Sequence, residues 1–252
     1  MKIGIVGYGH VGKAMKELFV DAVVYDEPLQ LGSREEINDC EVAFVCVPTP
    51  QDENGACNTR IVEDVIGWLE TSVIIIRSTV YVGFCDEQAK KHHKEIVFQP
   101  EYYGETVAHP FANLANRNWI TLGGSKKGIN LAIKAYQKVL NASVAIYQSS
   151  AKEAELAKYM ENAFFATKVV FCNEFFDIAE KLGVDYNVVR ELWLADPRIG
   201  AYHTFVYEDS RGFDGSCLPK DIAAIITQAN AHGADTTLLQ SVVKKNELLK
   251  EK

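Results

Sequence analysis

The chain has 252 residues, with Lys+Arg 26 against Asp+Glu 34, a formal charge of −8, 48% hydrophobic and 24% charged residues. These proportions describe a globular chain and exclude disordered, collagen-like and disulfide-scaffold classes. A mildly acidic chain without a basic block also argues against nucleic acid or an anionic membrane as its main partner.

In chain order, Ile3–Val6, Ala22–Tyr25, Val42–Val47, Ser72–Ile76, Ile96–Phe98, Trp119–Leu122 and Val144–Ile146 read as buried strands. Their β-branched content and lack of alternation predict a parallel sheet covered on both faces. Lys13–Phe19, Ile61–Leu69, Cys85–Lys91 and Ile129–Leu140 read as crossover helices, giving an α/β, doubly wound, Rossmann-type domain over residues 1–150. Residues 151–182 hold helical periodicity until Gly183, a helix-stop residue, and predict one long helix. Shorter helices follow at Tyr186–Ala195, Pro219–His232 and Thr236–Lys252, so residues 151–252 are expected to form an all-helical domain.

No apolar run reaches the roughly 18 residues of a membrane span. The chain enters the strand-like Lys2–Val6 directly, without the cationic and apolar regions of a secretory leader. The six cysteines, at positions 40, 46, 57, 85, 172 and 217, form no C-x-x-C pair. They read as reduced thiols in a cytoplasmic protein, and no metal site is expected.

Gly7-Tyr8-Gly9-His10-Val11-Gly12 fits G-x-G-x-x-G between a strand and a helix. Gly7 allows the turn, Gly9 lets a pyrophosphate approach the backbone, and Gly12 lets helix and strand pack closely. The helix N-terminus then offers unpaired N–H groups to the phosphates. Asp26 ends the next strand, where a carboxylate accepts hydrogen bonds from a ribose diol and repels a 2′-phosphate. Together they predict NAD rather than NADP.

The second dense signal is Gly212-Phe213-Asp214-Gly215-Ser216-Cys217-Leu218-Pro219-Lys220-Asp221. Pro219 and Asp221 suit the first turn of a helix. Cys217 is expected just before it with Lys220 one turn on, both favouring a nucleophilic thiolate. Local sequence alone is divided evenly between that role and a small residue packed in a glycine-rich turn.

In this order the two signals resemble the UDP-glucose/GDP-mannose dehydrogenase family. The resemblance runs along essentially the whole chain through Val47-Pro48-Thr49-Pro50, Ser78-Thr79-Val80, Pro100-Glu101, Ala154-Glu155-Leu156-Ala157-Lys158 with Asn162, and Asp196-Pro197-Arg198-Ile199-Gly200. It implies oxidation of a sugar-nucleotide C6 alcohol to a carboxylate with two NAD⁺, through a cysteine thiohemiacetal and thioester. Cys217 matches the nucleophile, Lys220 its neighbour, and Asp221 a residue placed to hold a catalytic water. Lys158 and Asn162 match an oxyanion-stabilising pair; without the resemblance they read as a solvated helix face. Glu101 matches a general base or water activator, with Thr79 nearby. Val47, Pro48, Thr49, Ser78, Thr79 and Glu105 match cofactor-lining positions. Gly212, Phe213 and Gly215, with Glu101, Lys158 and Asn162, match the substrate site, to which Arg198 reaches across a dimer interface.

The sequence departs from the family pattern in several places. Asp214 stands where glycine is usual, Gln99 replaces an asparagine before Pro100, and Gly104-Glu105-Thr106 differs from a charged-Glu-Gly pattern. The stretch from Arg198 to Cys217 is a few residues longer than usual. After Asp26 no basic residue occurs before Arg34. The family's third, nucleotide-gripping domain has no counterpart in the residues after Cys217, so a separate chain supplying it is one expectation. Another is a homodimer through the helical domain, with Leu238, Leu239, Val242 and Val243 exposed for it. Two other readings stay open: a β-hydroxyacid-type dehydrogenase, and a non-catalytic NAD-binding module.

Overall fold

The computed structural model describes residues 1–102 and 117–251. These form two compact units, one of Met1–Asp52 with Cys57–Lys158 and one of Glu53–Ala56 with Tyr159–Lys252.

The first unit is built on seven strands: β1 (Ile3–Val6), β2 (Val23–Tyr25), β3 (Val42–Val45), β4 (Val73–Ile76), β5 (Ile96–Phe98), β6 (Trp119–Gly124) and β7 (Ala145–Ser149). Their order is β2-β1-β3-β4-β5-β6-β7. Every strand expected from the sequence is present. Helices α1 (His10–Leu18), α2 (Arg34–Asn38), α3 (Arg60–Trp68), α4 (Phe84–His92) and α5 (Lys126–Tyr136) connect them. β3 and β4 are wholly buried, and successive β3 residues serve opposite faces. Val42 and Phe44 pack with Met15 and Phe19 from the α1 region and Tyr136 of α5. Ala43 and Val45 pack with Val62 and Ile66 of α3 and Phe84 of α4. Covering both faces in this way is what makes the strands read as continuous apolar runs.

Two features were not anticipated. The sheet is not parallel throughout, because β6 runs antiparallel to β5, pairing Val97 with Gly124. The half-buried Trp119 and Thr121 alternate with the buried Ile120 and Leu122, a pattern of one-sided burial rather than a central parallel strand. Helix α2 was also missed. It is a single short turn started by Ser33, whose hydroxyl accepts the Glu36 N–H.

The second unit carries α7 (Tyr186–Leu194), α8 (Leu218–Ala231), α9 (Thr237–Lys250) and most of the 32-residue α6 (Ala151–Leu182). Helix α6 opens with a reciprocal cap: the Glu153 N–H donates to Ser150 Oγ, and the Ser150 N–H donates to Glu153 Oε2. It stops at Gly183, where the Val184 N–H reaches back to the Ala179 carbonyl. Ala163, Ala166 and Val170 of α6 pack with Phe213, with Ile222 of α8 and with Val242 and Leu249 of α9. This corrects the expectation for α9: of Leu238, Leu239, Val242 and Val243, Leu238 is strongly exposed, whereas Val242 is buried and Leu239 and Val243 lie against the unit's own core.

Candidate active site

The glycine loop leaves the C-terminal end of β1, beside the point where the strand order reverses between β1 and β3. In doubly wound sheets this is where nucleotides bind. Gly7 has φ +91°, and a Cβ there would lie 2.8 Å from the Cys46 carbonyl oxygen. A Cβ on Gly12 would collide with the carbonyl oxygen of Gly7. Gly9, by contrast, would meet nothing within 4 Å and begins α1 without a side-chain cap. The loop thus closes tightly on the protein at Gly7 and Gly12 and leaves open space at the helix start, which fits a pyrophosphate.

Asp26 is tied to this loop. Its Oδ2 accepts the Tyr8 N–H at 2.6 Å and its Oδ1 the Leu29 N–H at 3.0 Å. A carboxylate has further lone pairs for a ribose diol. Arg34 is engaged elsewhere, with its guanidinium 3.7 Å from Glu27, 3.8 Å from Asp64 and over the Trp68 ring. His10 is exposed and Val11 half-buried. Beyond β3, Val47 is half-buried, Pro48 exposed and Thr49 buried. Ser78 Oγ donates to the Val47 carbonyl at 2.6 Å, and the Thr79 carbonyl accepts from the Cys57 thiol at 3.2 Å. Glu105 lies outside the described residues.

Glu101 follows β5 and is held by two guanidinium groups that sequence reasoning missed. Arg77 pairs with one carboxylate oxygen, Arg117 Nη2 stands 3.4 Å from the other, and the Tyr102 N–H donates at 2.6 Å. Arg77 is buried, and burial holds its pKa below the usual arginine value. A charge directly after the apolar run Val73–Ile76 was the available signal. The Lys158 ammonium lies 5.0 Å from the centre of the Tyr102 ring. One turn before it, the buried Glu155 accepts the Gly83 N–H at 2.6 Å and the Cys85 N–H at 2.9 Å, at the start of α4. Burial raises the Glu155 pKa above the ordinary carboxylate value.

In the second unit, Cys217 is the exposed N-cap residue of α8, with Pro219 in the first turn. Asp221, 1% exposed, accepts the Asn162 amide at 2.6 Å on one oxygen and the Lys220 ammonium at 2.6 Å on the other. Three residues singled out in the sequence therefore meet in one network, and the Lys220 charge is directed at Asp221. Lys158 and Asn162 are both buried and one turn apart on α6. Arg198 is highly exposed and pairs with Asp196. Gly212 is half-buried, Phe213 buried and Gly215 exposed. Asp214 pairs with Lys250 at 3.1 Å, which holds its pKa low.

Residues 17–140 match the NAD binding domain of the UDP-glucose/GDP-mannose dehydrogenase family, and residues 152–248 match its central domain. A UDP-glucose 6-dehydrogenase of Pseudomonas aeruginosa is 30% identical over 233 residues, covering 86% of this chain and 51% of that protein. One from Rickettsia prowazekii is 30% identical over 224 residues, covering 84% and 50%. The chain thus spans about half the length of the curated relatives it matches. The solved structure of a UDP-glucose dehydrogenase from Pyrobaculum islandicum superposes with a TM-score of 0.85 at 22% identity, covering 98% of this chain and 68% of that one. That likeness is one of fold. Among the described residues no helix is long and apolar enough to cross a membrane.

Proposed function

The chain belongs to the UDP-glucose/GDP-mannose dehydrogenase family, and from that membership we propose that it oxidises the C6 hydroxyl of a sugar nucleotide to a carboxylate through Cys217. The observation that carries this reading is the exposed Cys217 at the start of α8, with Asp221 of the helix's first turn bonded to Lys220 and to Asn162 of α6.

NAD⁺ is the cofactor, held at Gly7–Gly12 and Asp26, and supplies the hydride acceptor for both oxidations. Glu101, fixed by Arg77 and Arg117, acts on the proton of the reacting hydroxyl or water. Lys158 and Asn162 stabilise negative charge developing on the C6 oxygen, an ammonium and an amide one helical turn apart. The Cys217 thiolate forms an S–C bond to the aldehyde carbon, giving a thiohemiacetal whose carbon still bears a hydrogen. Loss of that hydrogen as hydride, together with the hydroxyl proton passed to a base, leaves a thioester on Cys217. Asp221 orients the water that attacks it; the S–C bond breaks, and the thiolate departs as the carboxylate is released. Gly212, Phe213 and Gly215 shape the loop facing the sugar.

The same reading makes the chain a homodimer. Met160, Phe164, Phe171, Phe175, Ile178 and Leu182 are exposed along α6 at steps of three, four or seven residues, one apolar stripe on a single helix. A second copy of α6 is the proposed occupant, and the exposed Arg198 guanidinium is the group that would reach its site.

The test is NADH release with UDP-glucose, GDP-mannose and a simple sugar phosphate in parallel. Two NADH per sugar with one of the nucleotides is expected. NAD⁺ binding without turnover of any of them would favour the binding-module reading. Oxidation of a β-hydroxy acid instead would favour the hydroxyacid-dehydrogenase class.

A further inference from the structure

The loop that delivers Cys217 is fastened by residues far from it in sequence. On α9, the buried Asn246 side chain makes a two-point bond with the Phe213 backbone. Its Oδ1 accepts the Phe213 N–H at 2.7 Å, and its Nδ2 donates to the Phe213 carbonyl at 3.0 Å. On α6, the buried Asn173 Oδ1 accepts from the Gly212 N–H at 3.2 Å and from Arg211 Nε at 2.7 Å. Arg211 Nη2 also donates to the Asn173 carbonyl at 3.0 Å and to Asp177 at 2.7 Å.

Gly212 has φ +78°, and a Cβ there would overlap Asn246 Oδ1. The glycine is therefore what lets the amide come this close. The Phe213 ring, meanwhile, sits in the core between α6, α8 and α9. From this anchored point only Asp214, Gly215 and Ser216 separate Phe213 from Cys217, and Asp214 is itself paired with Lys250 of α9.

We propose that Asn246 and Asn173 are positioning residues for Cys217. Their amides hold Gly212 and Phe213, and so fix where the loop places the thiol at the start of α8. Neither residue reaches the reacting atoms. Both act through the backbone, as a side-chain substitute for the strand pairing that this loop lacks. Asn246 is the stronger of the two, because it satisfies both a donor and an acceptor of one buried residue, and leaving either unpaired is costly. This inference rests on the reading of Cys217 as the nucleophile, since a turn cysteine without a catalytic role would need no such placement.

The experiment compares the unsubstituted chain with Asn246→Ala and Asn173→Ala, using two independent readouts. The first is amide hydrogen exchange. Protection over residues 211–217 is expected to fall at least roughly tenfold in Asn246→Ala, while residues 222–231 of α8 keep theirs. Unchanged protection at 211–217 would overturn the proposal, as would an equal loss throughout the second unit, which marks a general structural role. The second readout is turnover of the active sugar nucleotide. Acid formation should drop roughly 10- to 100-fold, the scale of a misplaced reacting group. KM for NAD⁺ should stay within about twofold, with aldehyde accumulating. Equal loss of both oxidation steps, or no loss in either, would contradict the assignment. A wild type that turns over no sugar nucleotide would instead count against the proposed function, and the exchange data would still decide the clamp.

Discussion

The glycine loop after β1 and the cysteine loop before α8 are both short, glycine-containing turns that feed a helix, but they are held differently. In the first, the constraint is almost entirely backbone against backbone: Gly12 against the Gly7 carbonyl, and Gly7 against Cys46. A side chain also ties it, Asp26 to the Tyr8 N–H, 18 residues apart. In the second, side-chain amides 33 to 39 residues away hold the backbone of Gly212 and Phe213. A loop that binds a cofactor by its own N–H groups can be written in a contiguous stretch. The loop proposed to present the reactive thiol is held by the helices around it, and that support is spread along the chain.

The comparison predicts separable failures. Gly12→Ala is the most damaging change, since its Cβ has no space against backbone. It should cost roughly 3 kcal/mol and remove NAD⁺ binding measurable by calorimetry. The second unit's network should survive, seen as unchanged exchange protection in α8. Asn162→Ala is the mirror case. It removes a hydrogen bond to the buried Asp221 carboxylate, so thermal unfolding should show a loss of about 2 kcal/mol, and NAD⁺ affinity should hold. If either substitution disables both functions equally, the two regions are not independent. The smallest effect on either loop is expected from Phe164→Asp on the exposed face of α6. Light scattering should show the proposed dimer shifted to monomer while the melting of the sheet unit stays put. A wild type that is already monomeric at micromolar concentration would remove the dimer from the account.

The same contrast explains what could be read from the sequence. The central strands β3 and β4 were legible because a sheet covered on both faces demands unbroken β-branched runs, as in Val73-Ile74-Ile75-Ile76. The end of α6 was legible because Gly183 and its backbone bonds are local. The glycine loop and Asp26 were legible for the same reason. The reversal of β6 was not, since pairing direction depends on a neighbouring strand rather than on local composition. Arg77 and Arg117 around Glu101, and Asn173 and Asn246 around the cysteine loop, were also missed. An asparagine in a helix announces nothing until the backbone it bonds is folded against it.

The most direct test of the central claim is the yield of NADH and acid per sugar for Cys217→Ser, with mass analysis of the protein for a thioester adduct. Serine keeps nearly the same volume and is a much weaker nucleophile. The account predicts retained NAD⁺ binding, no steady-state acid, at most slow aldehyde formation, and an adduct only on the wild-type chain. Undiminished acid production by the serine variant would show that Cys217 is an exposed turn residue without a catalytic role and would contradict the account.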